Sequence, residues 1–279
     1  MTEKLISILK LVRPINFVIT FISAVVAVFI CDTHNFSLKI AILAGLSAAI
    51  TLSAGNIIND VYDFESDKIN HPKRPLASGI LARSSAIVFY VLLIILSTLL
   101  SYLLNFNALL IVIVANLLLF FYSKLFKKIP LIGNLVVALL TGLVFIYGGV
   151  AVDNPYAAII PALFAFLINL IREIVKDMQD VQGDENAGMI SFPIKYGFKK
   201  SRTMILVVCV LLLLFTFYPF IMQLYKIEYF VIVMIVVNPL LVYSLKILFN
   251  NDSQEGLSKV SNLLKFDMVF GLIAIYFGV

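Results

Sequence analysis

The sequence predicts an all-α, polytopic membrane protein whose nine transmembrane helices form a bundle. Of its 279 residues, 62% are hydrophobic and only 13% are charged, and the mean hydropathy is +1.05. A soluble domain of this length needs far more polar surface, so the composition places the chain in a bilayer. Cys31 and Cys209 both lie in apolar segments. We therefore expect both cysteines to pack as small, buried hydrophobic side chains, rather than to form a disulfide or a metal site.

Nine segments are long and apolar enough to be transmembrane helices, which need about 20 mostly apolar residues. The predicted spans are 15–31, 37–58, 85–103, 107–122, 131–150, 156–175, 203–222, 228–249 and 262–279. Two long connections, 59–84 and 176–202, lie on one side and are expected to form a cap over the bundle. No low-complexity linker divides the chain, so residues 1–279 are predicted to form a single domain.

The distribution of basic residues predicts the orientation of these spans. If the N-terminus is cytoplasmic, only Lys39 and Lys226 of the 21 Lys and Arg residues fall on the outer side. A miscounted helix would move every later loop to the other side, so this bias supports the count. We expect a protein of the cell membrane with a cytoplasmic N-terminus and an external C-terminus. The net charge of +5 then concerns topology and anionic lipid. Neither nucleic acid nor an obligate protein partner is expected.

Two acidic motifs follow the second and the sixth predicted spans. Residues 56–67 read NIINDVYDFESD, and residues 173–184 read EIVKDMQDVQGD. Each motif carries Asp at positions i, i+3 and i+7, which a helix places on one stripe. Asn56 and Glu173 lie one turn earlier on the same stripes. The six aspartates are Asp60, Asp63 and Asp67 in the first motif and Asp177, Asp180 and Asp184 in the second.

The matched spacing of the motifs indicates a paired binding site for divalent metal. Four spans separate them, so both open to the same side, as in two parallel halves of one bundle. Like charges at helical spacing repel each other and need a counter-charge. Mg²⁺ prefers oxygen ligands and often binds through carboxylates together with substrate phosphates. Two clusters holding Mg²⁺ could clamp a diphosphate and stabilise its departure. A solvated acidic loop is the alternative, but it explains one such motif better than two.

Three motifs carry a resemblance to a known family. They are N-D-x-x-D-x-x-x-D at 59–67, D-x-x-x-D at 180–184 and R-P-x-N at 13–16. Together they resemble the UbiA superfamily of intramembrane prenyltransferases. The resemblance implies that Mg²⁺ binds a prenyl diphosphate, that its departure leaves an allylic cation, and that an acceptor captures this cation. The metal ligands that it implies are Asp60, Asp63, Asp67, Asp180 and Asp184, with Asp177 beside them as a further catalytic carboxylate.

Within the superfamily, the second motif and Phe192-Pro193 are most similar to the geranylgeranylglyceryl phosphate geranylgeranyltransferases of archaeal-type ether lipid synthesis. This implies a geranylgeranyl diphosphate donor and a lipid-like, phosphorylated acceptor. Gln179 and Gln182 stand where more acidic residues are expected in that group. Aryl prenyltransferases of quinone synthesis and chlorophyll synthases carry similar blocks, so an aromatic acceptor stays open. A transporter of divalent cations or organic anions is the alternative of another class, although transport sites lie near the bilayer midplane.

Basic and amide side chains beside the two motifs are predicted to bind the substrates. Two cations follow the first motif in the proline-rich turn 71–75, and arginine suits bidentate binding of phosphate. Further cations close the fourth and the sixth spans on the same side. Amides at 56 and 59 are expected to orient or bind metal. The predicted substrate-binding residues are Asn16, Asn56, Asn59, Lys73, Arg74, Lys124 and Arg172.

Several of these residues also have a purely structural interpretation. The charge of Lys73 can serve topology alone, and Arg172 can form an ion pair with its neighbour Glu173. Asn16 and Asn134 can each form a hydrogen bond between helices instead of facing a cavity. These alternatives stay open until the packing of the helices is known.

Other charged residues are expected to have no direct role in the reaction. Lys127 and Lys128 are predicted to contact lipid headgroups and to set topology. In the last span, Lys265 and Asp267 are expected either to pair with each other or to mark its cytoplasmic start.

Overall fold

The computed structural model describes residues 2–186, 188–251 and 253–279, so Met1, Ala187 and Asp252 lie outside the described residues. The described residues form helices and no strand, as predicted. The helices are α1 (Thr2–Val12), α2 (Pro14–Cys31), α3 (Leu38–Tyr62), α4 (Phe64–Asn70), α5 (Arg83–Tyr102), α6 (Phe106–Lys124), α7 (Ile132–Val150), α8 (Ile159–Asn186), α9 (Phe192–Ile221), α10 (Ile227–Ile232), α11 (Asn238–Asn250) and α12 (Gln254–Gly278).

Nine helices within this described part of the chain are long and apolar enough to cross a membrane, which confirms the predicted count. A π-helical turn at Val233–Val237 joins α10 to α11, so the pair forms one span. The short helices α1 and α4 are not among the nine. Cys31 and Cys209 are buried free thiols, as expected.

The two long connections contain helix, about half of 59–84 and most of 176–202. Helix α8 continues to Asn186, eleven residues beyond the predicted end of the sixth span, and α9 begins at Phe192 instead of near 203. A hydropathy window ends a span where polar side chains begin, but backbone hydrogen bonds continue a helix regardless of side-chain polarity. Gly197 interrupts α9 with a φ of 79°, a conformation that glycine adopts without steric cost.

Close helix packing brings the ends of α3, α4 and α8 together. Small residues on α3 allow the approach, since a Cβ on Gly45 would lie 2.7 Å from the ring of Phe21 on α2. On the other side of α2, a Cβ on Gly148 of α7 would lie 2.5 Å from Ala27. Helix α7 also packs against α8, and α4 packs against α8. These contacts place the two acidic motifs at the same end of the bundle.

Candidate active site

The first acidic motif is bent instead of forming one continuous helical stripe. Asn56, Asn59 and Asp60 lie on the last turns of α3, and Asp67 lies on α4. Asp63 connects the two helices with φ −85° and ψ 7°, which ends α3. The three aspartates are nevertheless buried, with 2–3% of their surface exposed. The bend turns α4 towards α8, so the first acidic motif faces the second acidic motif.

Arginines neutralise two of these carboxylates. Arg74 donates to both oxygens of Asp67, at 2.6 and 2.7 Å, and lies 3.4 Å from Oδ1 of Asp60. Arg13 donates to the same Asp60 oxygen at 2.5 Å. Burial lowers the pKa of Arg74, but Asp60 and Asp67 outweigh that effect and the pKa is raised. Burial raises the pKa of Asp67 despite the neighbouring guanidinium. Arg74 thus has the contacts expected of a residue at the site.

Lys127, and not Lys124, is the lysine that reaches the acidic motifs. Lys127 lies in a 3₁₀ turn between α6 and α7 and donates to Asp63. Burial lowers the pKa of its ammonium group, but Asp63 and Asp184 outweigh this, so the pKa is raised. Lys124 is exposed and lies over the ring of Phe120, 5.8 Å from the centroid. The 3₁₀ turn redirects the chain between the two lysines, so Lys127 contacts the first motif and Lys124 does not.

The second motif lies entirely on α8, as its spacing predicts. Asp177 accepts a hydrogen bond of 2.9 Å from Asn134 of α7, so this asparagine joins two helices. Nε2 of His71 lies 3.1 Å from Oδ1 of Asp180. Asp184 is 4% exposed, and its carboxylate accepts no hydrogen bond from the side chains that the structure describes. The histidine after the first motif thus contacts the second motif directly.

Asn70 at the end of α4 joins the two motifs. Its Nδ2 donates to the backbone oxygen of Asp180 at 2.9 Å, and its Oδ1 accepts from the backbone N–H of Gly183 at 3.0 Å. A Cβ on Gly183 would lie 2.3 Å from Nδ2 of Asn70. Only glycine at this position leaves room for the amide against α8.

Gly183→Ala is therefore expected to lower the free energy of unfolding by about 2 kcal/mol, because it displaces two hydrogen bonds of about 1 kcal/mol each that hold the motifs together. The measurement is the thermal midpoint of the purified protein, compared with that of the wild type. In the background of Asn70→Ala the added methyl group has room, so Gly183→Ala should cause little further loss of stability. Full additivity of the two substitutions would show that the effect does not pass through Asn70.

The oxygen donors fit a hard divalent cation, although cations of the protein neutralise most of them. Within residues 2–186, 188–251 and 253–279, no three His, Cys, Asp or Glu side chains are close enough to hold an ion by themselves. Oδ1 of Asn59 is buried without a hydrogen-bond partner, and the Asp184 carboxylate is also available. These are the ligand types that Mg²⁺ takes together with phosphate oxygens. The donors therefore suit a metal that arrives with a phosphate ligand.

Two mostly apolar cavities lie within the bundle, and the wall of the first also includes the buried carboxylate of Asp267. The first, here called the α12 cavity, has a volume of about 100 Å³, and its wall includes Phe145, Phe164, Leu212, Met268 and Leu272. The second, the α6 cavity, has a volume of about 120 Å³, and its wall includes Leu52, Ile111, Val112, Leu140 and Val144. Ile19, Ser23 and Thr141 line both cavities, so α2 and α7 form the shared wall.

A polar pocket of about 350 Å³ lies between α2, α8 and α12. We call it the basic pocket, and its wall includes Arg13, Asn16, Arg172, Lys176, Ser261 and Lys265. His71, Arg74 and Asp180 also line it, so it adjoins both acidic motifs. Lys176 and Lys265 were not predicted as site residues, since their spacing alone does not distinguish them from topogenic charges.

The remaining residues that were predicted to bind substrate lie near the acidic motifs, and their contacts differ. Arg172 is 3.3 Å from Glu173, so it forms the predicted ion pair and lines the basic pocket as well. Nδ2 of Asn56 is buried without a partner. Lys73 is exposed and lines a neighbouring polar cleft of about 510 Å³. Lys265 and Asp267 do not pair with each other.

Facing acidic motifs above apolar cavities, in a bundle of membrane-spanning helices, define an intramembrane enzyme for substrates with phosphate groups and hydrocarbon chains. Comparison with known proteins specifies that class. The chain belongs to the UbiA prenyltransferase family, whose profile matches residues 20–266. It is thus an integral membrane prenyltransferase, and the predicted family is confirmed. The transporter alternative is not supported.

Individual relatives are similar over nearly the whole chain. Digeranylgeranylglyceryl phosphate synthase of Methanocaldococcus jannaschii is 36% identical over 280 residues, covering 99% of this chain and 97% of that protein. A solved structure of a digeranylgeranylglyceryl phosphate synthase is 36% identical, covers 99% of this chain and 98% of its own, and has a TM-score of 0.77. A UbiA homologue from Archaeoglobus fulgidus, bound to GPP and Mg²⁺, shares the fold at 21% identity, with coverages of 96% and 99% and a TM-score of 0.66.

Proposed function

We propose that this protein transfers a geranylgeranyl group from its diphosphate to geranylgeranylglyceryl phosphate in an Mg²⁺-dependent reaction. The observation that carries the proposal is the meeting of two buried Asp motifs with Arg74 and Lys127 at one end of the bundle. Such a site suits a diphosphate, because it combines metal-ligand oxygens with cations that can bind phosphate oxygens. The relatives named digeranylgeranylglyceryl phosphate synthase support the choice of substrates.

The proposed metal ligands are the carboxylates that the resemblance to the family implies, Asp60, Asp63, Asp67, Asp180 and Asp184. Bound Mg²⁺ would neutralise the diphosphate and stabilise the charge that develops as it leaves. Oδ1 of Asn59, buried without a partner, is a further oxygen donor for this set. Asn134 holds Asp177 in place by a hydrogen bond, so Asp177 is available to the site in one orientation.

Arg74 and Lys127 bind the diphosphate oxygens in this proposal. Both side chains contact first-motif carboxylates, and charge-assisted hydrogen bonds to phosphate are stronger than neutral ones. The bond between C1 of the prenyl chain and the diphosphate oxygen breaks, and the acceptor hydroxyl forms the new C–O bond at C1. Its proton passes to a motif carboxylate. The apolar cavities hold hydrocarbon and exclude water from the allylic cation.

The proposed topology places this site on the cytoplasmic face of the cell membrane, with the N-terminus cytoplasmic and the C-terminus external. The basis is the positive-inside bias of the chain, in which only Lys39 and Lys226 fall outside. We also propose that residues 1–279 form one domain, because α2 and α7 pack together and link the two halves.

An acceptor panel tests the proposed function. Purified protein is incubated with labelled geranylgeranyl diphosphate and geranylgeranylglyceryl phosphate, hydroxybenzoate or naphthoate acceptors, each with Mg²⁺ or with EDTA. We expect product on the glyceryl phosphate alone, and loss of that product in EDTA. Product on an aromatic acceptor alone would overturn the choice of acceptor, and full activity in EDTA would overturn the metal requirement.

A further inference from the structure

We propose that the basic pocket binds the phosphate of the acceptor lipid, that Lys265 is its specificity-determining cation, and that the acceptor's prenyl chain enters the α12 cavity beneath it. This proposal rests on the proposed function and assigns each end of the acceptor to a place in the fold. The acceptor and a phospholipid of the bilayer share the chemistry that this site would recognise, which is a phosphate group attached to a hydrocarbon chain.

The first observation is an excess of positive charge in the basic pocket. Arg172 lies 3.3 Å and Lys176 3.0 Å from the single carboxylate of Glu173, which is 5% exposed. Lys265 makes no ion pair or hydrogen bond with any residue that the structure describes. Arg172 and Lys176 therefore share one carboxylate, and Lys265 has no paired anion among the described residues. Like charges that line one pocket are unfavourable until a counter-anion binds. A phosphate monoester, which carries a charge of roughly −1.5 to −2 at pH 7, supplies that counter-charge.

The second observation is an unsatisfied donor that belongs to Arg172. Its Nε is buried and has no hydrogen-bond partner, and its side chain is only 12% exposed. Buried N–H groups of a guanidinium are costly to leave unpaired, and phosphate oxygens accept two parallel hydrogen bonds from arginine. Arg13 and Arg74, by contrast, are already paired with first-motif carboxylates. Arg172 and Lys265 are therefore the cations with capacity for a second anion.

The third observation is that the basic pocket and the α12 cavity share three helices. On each helix, a residue of the pocket lies about one turn from a residue of the cavity. The pairs are Asn16 and Ile19 on α2, Arg172 and Ile168 on α8, and Lys265 and Met268 on α12. A lipid with its phosphate in the pocket can thus lay its chain directly into the cavity.

The α6 cavity is then left for the donor chain. Helix α3 lines it and also carries the first acidic motif at its end. Asp180 and Arg74 line the basic pocket, so an acceptor bound there lies beside the diphosphate site. Two hydrocarbon chains thus lie on either side of α2 and α7, and the two reacting ends meet above these helices.

The test compares phosphorylated and dephosphorylated acceptors. For the wild-type protein and for Lys265→Met, kcat/KM is measured with geranylgeranylglyceryl phosphate and with geranylgeranylglycerol. Because the variant loses a charge-assisted contact to phosphate, we expect the preference for the phosphorylated acceptor to fall about tenfold or more. The KM for geranylgeranyl diphosphate should stay within about twofold, since the donor contacts Arg74 and Lys127 instead. Lys265→Arg, which keeps the charge, should largely restore the preference.

Lys259→Met is the matched control, because Lys259 lies exposed on the same helix, does not line the pocket and is 3.5 Å from the hydroxyl of Tyr243. It should leave the preference unchanged. A phospholipid of the bilayer offers similar chemistry, so each KM is also measured in nanodiscs of neutral and of anionic lipid. A rise in acceptor KM with anionic lipid that Lys265→Met abolishes would show that bilayer phosphate competes for the same pocket, which supports the site.

The outcomes separate this proposal from the function on which it rests. If the wild-type protein does not use the phosphorylated acceptor, the proposed function fails and this proposal fails with it. If it does use that acceptor and folded Lys265→Met keeps the full preference, only the basic pocket is overturned. If Lys265→Met raises the KM for the donor as much as the KM for the acceptor, the basic pocket is also overturned, because Lys265 would then act on the diphosphate.

Discussion

Asp63→Asn is expected to reduce prenyl transfer at least about a thousandfold, because it removes a proposed metal ligand, and such a ligand supports several kcal/mol of transition-state stabilisation. Asp63 is 3% exposed, lies where α3 meets α4 and contacts both Asn59 and Lys127. The substitution keeps the size of the side chain and removes one ligand charge. The measurement is single-turnover prenyl transfer at saturating geranylgeranyl diphosphate and Mg²⁺.

Two further variants make this result interpretable. Glu65→Gln changes an exposed carboxylate of α4 that pairs with Lys68, and it should cost less than about twofold, as exposed ion pairs contribute little. Asp180→Asn removes a proposed metal ligand of the second motif, whose carboxylate lies 3.1 Å from Nε2 of His71. It should be as damaging as Asp63→Asn. Near-normal turnover in both Asp variants, with correct insertion into the membrane, would refute the paired metal site.

Lys127→Met is expected to lower kcat/KM for the prenyl diphosphate about a hundredfold, the usual cost of losing one donor to a developing anion. Lys127 donates a hydrogen bond to Asp63 of the first motif, and the carboxylates of Asp63 and Asp184 both raise its pKa. It therefore bears a full positive charge at neutral pH. Initial rates at varied donor concentration measure the effect, and Lys127→Arg should recover part of the activity because it keeps the charge.

Lys124→Met is the matched control for this prediction. Lys124 lies three residues earlier, has the same charge and is exposed over Phe120. We expect its loss to change kcat/KM less than about twofold, as for other exposed charges without an ion-pair partner. A larger loss in Lys124→Met than in Lys127→Met would contradict this prediction and indicate that Lys124 contacts the diphosphate.

The difference between these two lysines illustrates what a pattern can predict. The sequence indicates that several cations close the fourth span on the side of the acidic motifs. It does not indicate which one turns inward, because that depends on the 3₁₀ turn at Phe126–Lys128 and on the packing of α6 against α7. For Lys265, the sequence likewise indicates only a charge near the start of the last span. Its place in the basic pocket depends on how α12 packs against α8.

The two acidic motifs also show what the sequence can and cannot predict, because they have identical spacing but different structures. The spacing of Asp177, Asp180 and Asp184 predicts a stripe on one helix, and α8 carries it. Identical spacing in the first motif predicts the same stripe, but α3 ends at Asp63 and α4 changes direction. Local spacing cannot report this bend, because it is stabilised by contacts over long sequence distances. Asn70 supplies two of these contacts, to Asp180 and Gly183.

From its sequence alone, this chain is a membrane protein of nine spans with two matched Asp motifs, and these motifs identify the family. These properties are local or additive along the chain, since hydropathy, charge bias and helical spacing need no knowledge of contacts. The tertiary structure decided which cations face the carboxylates, where the helices extend beyond the predicted spans, and that a basic pocket lies above the α12 cavity. Those properties depend on which faces of distant helices meet, and that is determined by packing.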